Sequence, residues 1–148
     1  MIILFQLTLG WVYSHIFEYI SHKYVLHNHK LFYKAFKNHF STHHKIARKN
    51  NMYDRSYENI FSSKFEVFSL VLIAIIHFPL LFFIPYFVLM TYLNLTTYYF
   101  VHRKSHIDIE WGKKWLPWHY AHHMNTDQNL NWGVRSPIID KILGTSKY

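Results

Sequence analysis

Ten histidines recur in two matched sets, and that repeat limits the folds open to this chain more than any other feature. In the first set, His22 and His27 have four residues between them, and His39 is followed after three by the adjacent pair His43 and His44. In the second, His102 and His106 have three residues between them, and His119 is followed after two by His122 and His123. The gap inside each set is alike: eleven residues between His27 and His39, twelve between His106 and His119. On an α-helix, residues three, four or seven apart share a face, because each residue turns the chain by about 100°. His39 with His43, His102 with His106, and His119 with His122 and His123 are therefore neighbours one turn apart. His22 and His27 are five apart and diverge, which places them where a helix bends or ends. Neutral imidazole is a good ligand for iron, zinc, copper and nickel. Ten imidazoles exceed the roughly four to six positions of one such ion, whereas two ions sharing five each fit both the count and the repeat.

The chain has no cysteine, so thiolate sites and disulfides are ruled out. No Glu-x-x-His pattern pairs a glutamate with one of these histidines, which argues against the carboxylate-rich di-iron site of soluble four-helix bundles. The formal charge of +8 invites a nucleic-acid reading, but its placement excludes it. Met1 to Phe17 and Val67 to Val101 carry no charged residue, and all 16 Lys and Arg lie outside those runs. Basic blocks flanking apolar runs of spanning length follow the positive-inside rule, with both blocks on the cytoplasmic side.

At 148 residues the chain reads as one domain, residues 1–148. Residues 1–20 read as a first membrane helix: the stretch is long enough for about 30 Å of hydrocarbon, and lacks the basic start and small-residue cleavage site of a signal peptide. His15, Glu18 and His22 share one face of it, and Glu18 reads either as an acceptor for a ligand imidazole or as a carboxylate snorkelling to the membrane interface. Residues 21–65 form a basic, mostly helical segment with the first histidine set, in which Ile46 to Ser63 reads as an exposed loop with a short helix. Residues 67–101 read as a helical hairpin of two short apolar arms, broken between Pro79 and Pro85. An even number of helices there returns the chain to its starting side and sets the second histidine set beside the first. Residues 102–148 hold that second set, with Trp111, Trp115 and Trp118 among lysines as at a membrane–water interface. A tail follows, punctuated by Gly133 and Pro137 and ending in a short helix capped by Gly144.

Five stretches resemble the fatty acid hydroxylase superfamily of integral-membrane di-iron oxygenases, which includes sterol desaturases and β-carotene hydroxylases. They are EYISHKYVLH (Glu18–His27), HFSTHH (His39–His44), HRKSH (His102–His106), HYAHH (His119–His123) and NWGVRSPIIDKILGT (Asn131–Thr145). The resemblance spans nearly the whole chain. It implies an all-α integral-membrane helical bundle with a cytoplasmic histidine-rich cap holding a dinuclear metal site. The ligand role then falls on His22, His27, His39, His43, His44, His102, His106, His119, His122 and His123. His15, His29 and His77 match no motif. Most hydroxylases of this group have two residues before the first adjacent pair, whereas this chain has three, Phe40 to Thr42.

The implied activity is hydroxylation of an unactivated C–H bond of a lipid, whether fatty acyl, sterol or carotenoid. Two iron ions and O2 would take part, with zinc an alternative occupant in purified protein. Electrons would come from a partner, a b-type cytochrome or a ferredoxin-like chain. A lipid desaturase with the same site is the nearest alternative. A histidine-rich membrane metal transporter is the alternative in another class, although it would place its ligands near the bilayer midplane.

Overall fold

A computed structural model describes residues 1–148 as an all-helical chain without strands. Three long elements carry it: α1 (Ile2–Ile20), α4 (Lys64–His77) and α5 (Pro85–Ile107). Between α1 and α4 lie a π-helical turn (Ser21–Leu26), α2 (Tyr33–Phe36), a second π-helical segment (Lys37–His44), α3 (Lys45–Lys49) and a 3-10 turn (Arg55–Tyr57). After α5 come α6 (Ile109–Trp115), α7 (Pro117–Met124) and α8 (Ile138–Ile142).

The hairpin forms where the prolines demand it. Pro79 has no amide hydrogen and its ring crowds the preceding turn, so α4 tightens into 3-10 geometry over Phe78–Phe82. Pro85 then opens α5 at the first helical position, where the missing donor costs nothing. The two arms differ more than the apolar run suggested, 14 residues in α4 against 23 in α5. α5 does not stop at Val101. It continues through His102 and His106, so one rigid helix joins the apolar hairpin to the histidines.

α1 lies along α5 because Gly10 permits it. A Cβ at Gly10 would stand 2.7 Å from the Phe87 carbonyl oxygen. At the end remote from the histidines, Gln6 Oε1 accepts the Tyr86 amide at 3.1 Å. Midway, Tyr13 Oη and His77 Nε2 are 2.8 Å apart. Near the histidines, Arg135 Nε donates to Glu18 Oε2 at 2.6 Å, and its Nη1 donates to Asn94 on α5. All three long helices therefore converge with their ends at one histidine cap.

The interior is polar and the surface apolar. Twelve buried residues are hydrophobic against eighteen that are polar or titratable, the reverse of a water-soluble domain. Meanwhile Leu4, Phe5 and Leu9 of α1, Ile75 and Ile76 of α4, and Leu89 and Leu93 of α5 stand exposed. One helical stretch, Lys64–Phe82, is long and apolar enough by length and composition to cross a bilayer. α1 forms where a first span was expected, yet falls short of that measure.

Two expectations need correction. Ile46 to Ser63 is not merely an exposed loop: Met52, Asp54 and Tyr57 within it are buried, at 0, 2 and 3% exposure. Glu18 accepts no imidazole. It holds the tail instead, taking the amides of Val134 at 2.5 Å and Arg135 at 3.1 Å as well as the guanidinium. The tail ends as expected, with α8 followed by Gly144 at φ 70°.

Two substitutions test this frame through the thermal midpoint in detergent. Gly10→Ala is expected to destabilise by about 1–3 kcal/mol, since the new methyl meets a backbone oxygen that has no room to retreat. Glu18→Ala leaves the Arg135 guanidinium buried without its counter-ion and is expected to cost about 3–5 kcal/mol. An unchanged midpoint in either would contradict the corresponding contact.

Candidate metal centre

Nine of the ten motif histidines fall into two groups whose ring nitrogens all lie within 4.8 Å of one another. The first group is His22, His27, His39, His44 and His122; the second is His43, His102, His106 and His123. The tenth, His119, sits at the edge of the second group, its Nε2 3.3 Å from that of His106. All ten are buried except His27, which is partly exposed.

The groups do not follow the two halves of the sequence. The adjacent pair His43–His44 is divided between them, and so is His122–His123. Successive helical residues point about 100° apart, so one adjacent pair can serve two neighbouring centres. Each group therefore draws members from both halves.

Local helix geometry explains the first set. On an α-helix a five-residue step leaves two side chains about 140° apart. The π-helical hydrogen bond runs from i to i+5 and closes that step. The His27 amide donates to the His22 carbonyl at 3.1 Å, and the two rings come to 5.0 Å between centroids. The second π-helical segment does the same for His39 and His44, whose Nε2 atoms are 3.2 Å apart. The extra residue in HFSTHH is absorbed there, which the expectation of ordinary helix at His39 and His43 did not foresee.

Five of the ten imidazoles are oriented by acceptors on Nδ1. His22 donates to the Trp132 carbonyl at 2.5 Å and His122 to the Leu130 carbonyl at 2.7 Å. His106 donates to the Met52 carbonyl at 2.7 Å. His43 donates to Asp54 Oδ2 at 2.8 Å, and His102 to Glu66 Oε1 at 2.7 Å. These acceptors lie outside every histidine motif. Met52 presents its carbonyl from a left-handed conformation, φ 78°, that a side-chain-bearing residue adopts only under constraint. The tail delivers the Trp132 and Leu130 carbonyls because buried Asp140 binds the amides of Trp132 at 2.8 Å and Gly133 at 2.7 Å.

This pattern decides whether a metal fits. A neutral imidazole that donates from Nδ1 carries only a lone pair on Nε2. His102 and His106 both do so, yet their Nε2 atoms stand 3.3 Å apart. Neither can donate to the other, and two facing lone pairs repel unless a cation lies between them. Further buried ring nitrogens, among them His43 Nε2 and both nitrogens of His123, have no partner at all. Histidine-only donor sets of this size suit a late first-row transition metal.

Protonation is disfavoured at most of these rings. Burial, with the neighbouring imidazoles adding to it, pushes His39, His44, His119 and His123 well below the ordinary imidazole range. Burial is also the main cause that holds His122 at about 4 and His27 at about 2. His43 is lowered as well, since burial outweighs its bond to Asp54.

Two buried aromatic rings pack on the groups. Trp132 meets His22, His27 and His122 edge-on or tilted, with centroids 4.9–5.7 Å away. Tyr57 lies flat on His106 at 5.2 Å and edge-on to His43 and His102. The unmatched histidines stay apart from both groups. His15 bonds the Trp11 carbonyl, His77 bonds Tyr13, and His29 is exposed beside Phe36. Sequence reading found the imidazoles and missed Asp54, Glu66 and Tyr57. Glu66 left one usable signal, as a carboxylate placed immediately before a 35-residue uncharged run.

A metal-free preparation should lose stability on acidification. Unfolded imidazoles titrate near 6.5, and these are lowered in the fold, so the unfolded chain takes up protons first. Their contribution is complete above about pH 6.5 and falls as pH drops, His122 contributing down to about 4 and His27 to about 2. Thermal midpoints of chelator-treated protein between about pH 8 and about pH 4 check this, and a flat profile would contradict a neutral pocket.

The family model described as fatty acid hydroxylase matches residues 7–145. No curated protein and no solved structure matches the chain.

Proposed function

The chain belongs to the fatty acid hydroxylase family, and we propose from this that it is a membrane-bound, O2-dependent oxygenase that hydroxylates an unactivated C–H bond of a lipid. Two iron ions are the proposed occupants of the two histidine groups. The observation that carries this reading is the gathering of the motif histidines in two adjoining clusters, where Nδ1 donation leaves the Nε2 lone pairs of His22 and His122 converging in one and those of His43, His102 and His106 in the other. Bound there, iron would supply the redox chemistry that activates O2 and attacks the C–H bond.

The protein's own residues do the rest. Nδ1 donation by His22, His43, His102, His106 and His122 selects one tautomer and aims each Nε2 inward. Burial favours the neutral form of His27, His39, His44, His119, His122 and His123. The exposed apolar faces of α1, α4 and α5 fit a bilayer, with the apolar substrate reaching the cap from that side. In this arrangement the histidine cap and C-terminus face the cytoplasm, and the turn from Pro79 to Pro85 lies toward the opposite face.

The electron donor is proposed to be an acidic one-electron carrier, of b-type cytochrome or ferredoxin-like kind. The run from Tyr33 to Lys49 exposes Lys34, Lys37, Lys45, Arg48 and Lys49 outward, while His39, His43 and His44 face inward. No Asp or Glu occurs between Glu18 and Asp54 to offset those cations. Complementary charge would speed such an encounter and make it sensitive to salt.

Freshly iron-loaded protein is expected to hold two ions per chain by elemental analysis. His43→Ala should lose metal and activity, whereas His29→Ala should change neither. Comparing lipids of cells with and without the gene identifies the reaction: a product gaining one oxygen supports hydroxylation, and one losing two hydrogens points to desaturation. Absence of any oxygen-dependent lipid product, with fewer than two ions bound, would overturn the proposal.

A further inference from the structure

The two histidine groups have different surroundings. In the second group, two ligand imidazoles donate to carboxylates: His43 to Asp54 at 2.8 Å and His102 to Glu66 at 2.7 Å. Both carboxylates are sheltered, their side chains 2% and 15% exposed. In the first group the oriented imidazoles, His22 and His122, donate only to backbone carbonyls. Its nearest bonded carboxylate, Asp140, reaches it through the Trp132 peptide and holds the amide rather than a ring. A cation also stands on that side: Lys23 Nζ lies 5.9 Å over the Trp132 ring.

A carboxylate on the far nitrogen makes an imidazole a stronger ligand, and a buried anion one hydrogen bond from the ligands offsets part of the metal's charge. Backbone carbonyls orient a ring but bring no net charge. We propose that the two centres are unequal: the centre of His43, His102, His106 and His123, with Asp54 and Glu66 as positioning residues, binds the tighter metal ion. The five-histidine centre binds the second ion more weakly. The same two anions favour the higher metal charge at the first of these, so an unlike pair of metal states has a built-in direction. This inference rests on the two-metal reading above.

The test is competition for Zn2+ between metal-free protein in detergent and a chromophoric chelator. Zinc serves because imidazole sites bind it readily and it has no redox chemistry of its own. Wild-type protein should show two resolved steps. Asp54→Asn and Glu66→Gln should each weaken the tighter step about 10- to 100-fold and leave the weaker one in place. Asp54→Glu, which keeps the carboxylate, should recover much of the loss. His27→Ala should remove the weaker step and spare the tighter, so the assignment survives even if one carboxylate variant fails to fold. Two equal steps in wild type would overturn the inequality while leaving the two-metal function standing. Fewer than two bound ions would overturn the two-metal reading and the inference with it. Loss of the weaker step in Asp54→Asn or Glu66→Gln, or equal weakening of both, would also overturn the inference.

Discussion

Ten imidazoles crowded into one cap, with the Nε2 lone pairs of His102 and His106 facing each other at 3.3 Å, are the constraint on which the rest depends. Within the cap, the His102–His106 contact has no hydrogen-bonding solution of its own. It persists because every neighbouring element restricts it. Met52 adopts a left-handed backbone and the two π-helical segments depart from ordinary helix. The tail folds back over 110 residues of chain to give His22 its acceptor. Strain and irregular backbone collect at the site, while α1, α4 and α5 are regular.

The polar interior and the apolar exterior are two sides of one arrangement. A buried ion pair such as Arg135–Glu18 is costly to desolvate, and it is tolerated where every remaining donor finds an acceptor. Each guanidinium nitrogen of Arg135 finds an acceptor, in Glu18, Asn94 and the Ser14 carbonyl. It lies between α1, α5 and the tail, so the clamp that closes the cap also fixes the helices beneath it. Trp132 gains its position from the same loop, and with it His22 gains its tautomer.

The histidines, the hairpin and the capped tail were legible because each is a local pattern with a physical period or a breaker residue. Pro79 and Pro85 mark the turn wherever they occur, and His102 with His106 share a face on any α-helix. What stayed hidden was pairing across distance. Nothing in the spacing of Asp54 says that its carboxylate meets His43, or that Glu66 meets His102 from 36 residues away. Glu18 was misjudged for the same reason: its helical face suggested an imidazole, but the competing donors came from Val134 and Arg135, 116 and 117 residues on. The π-helical segments were also beyond reach, since a five-residue step reads as divergence until the hydrogen bonds are seen to follow it.

The division of His43–His44 and His122–His123 between the two groups has a consequence for the making of the protein. A chain growing on the ribosome exposes His22 to His44 long before His122 and His123 exist. Until that last pair emerges, both groups are incomplete, because each draws members from both ends of the sequence. Completion of both groups is therefore a late event, reserved for molecules whose two halves have already found each other.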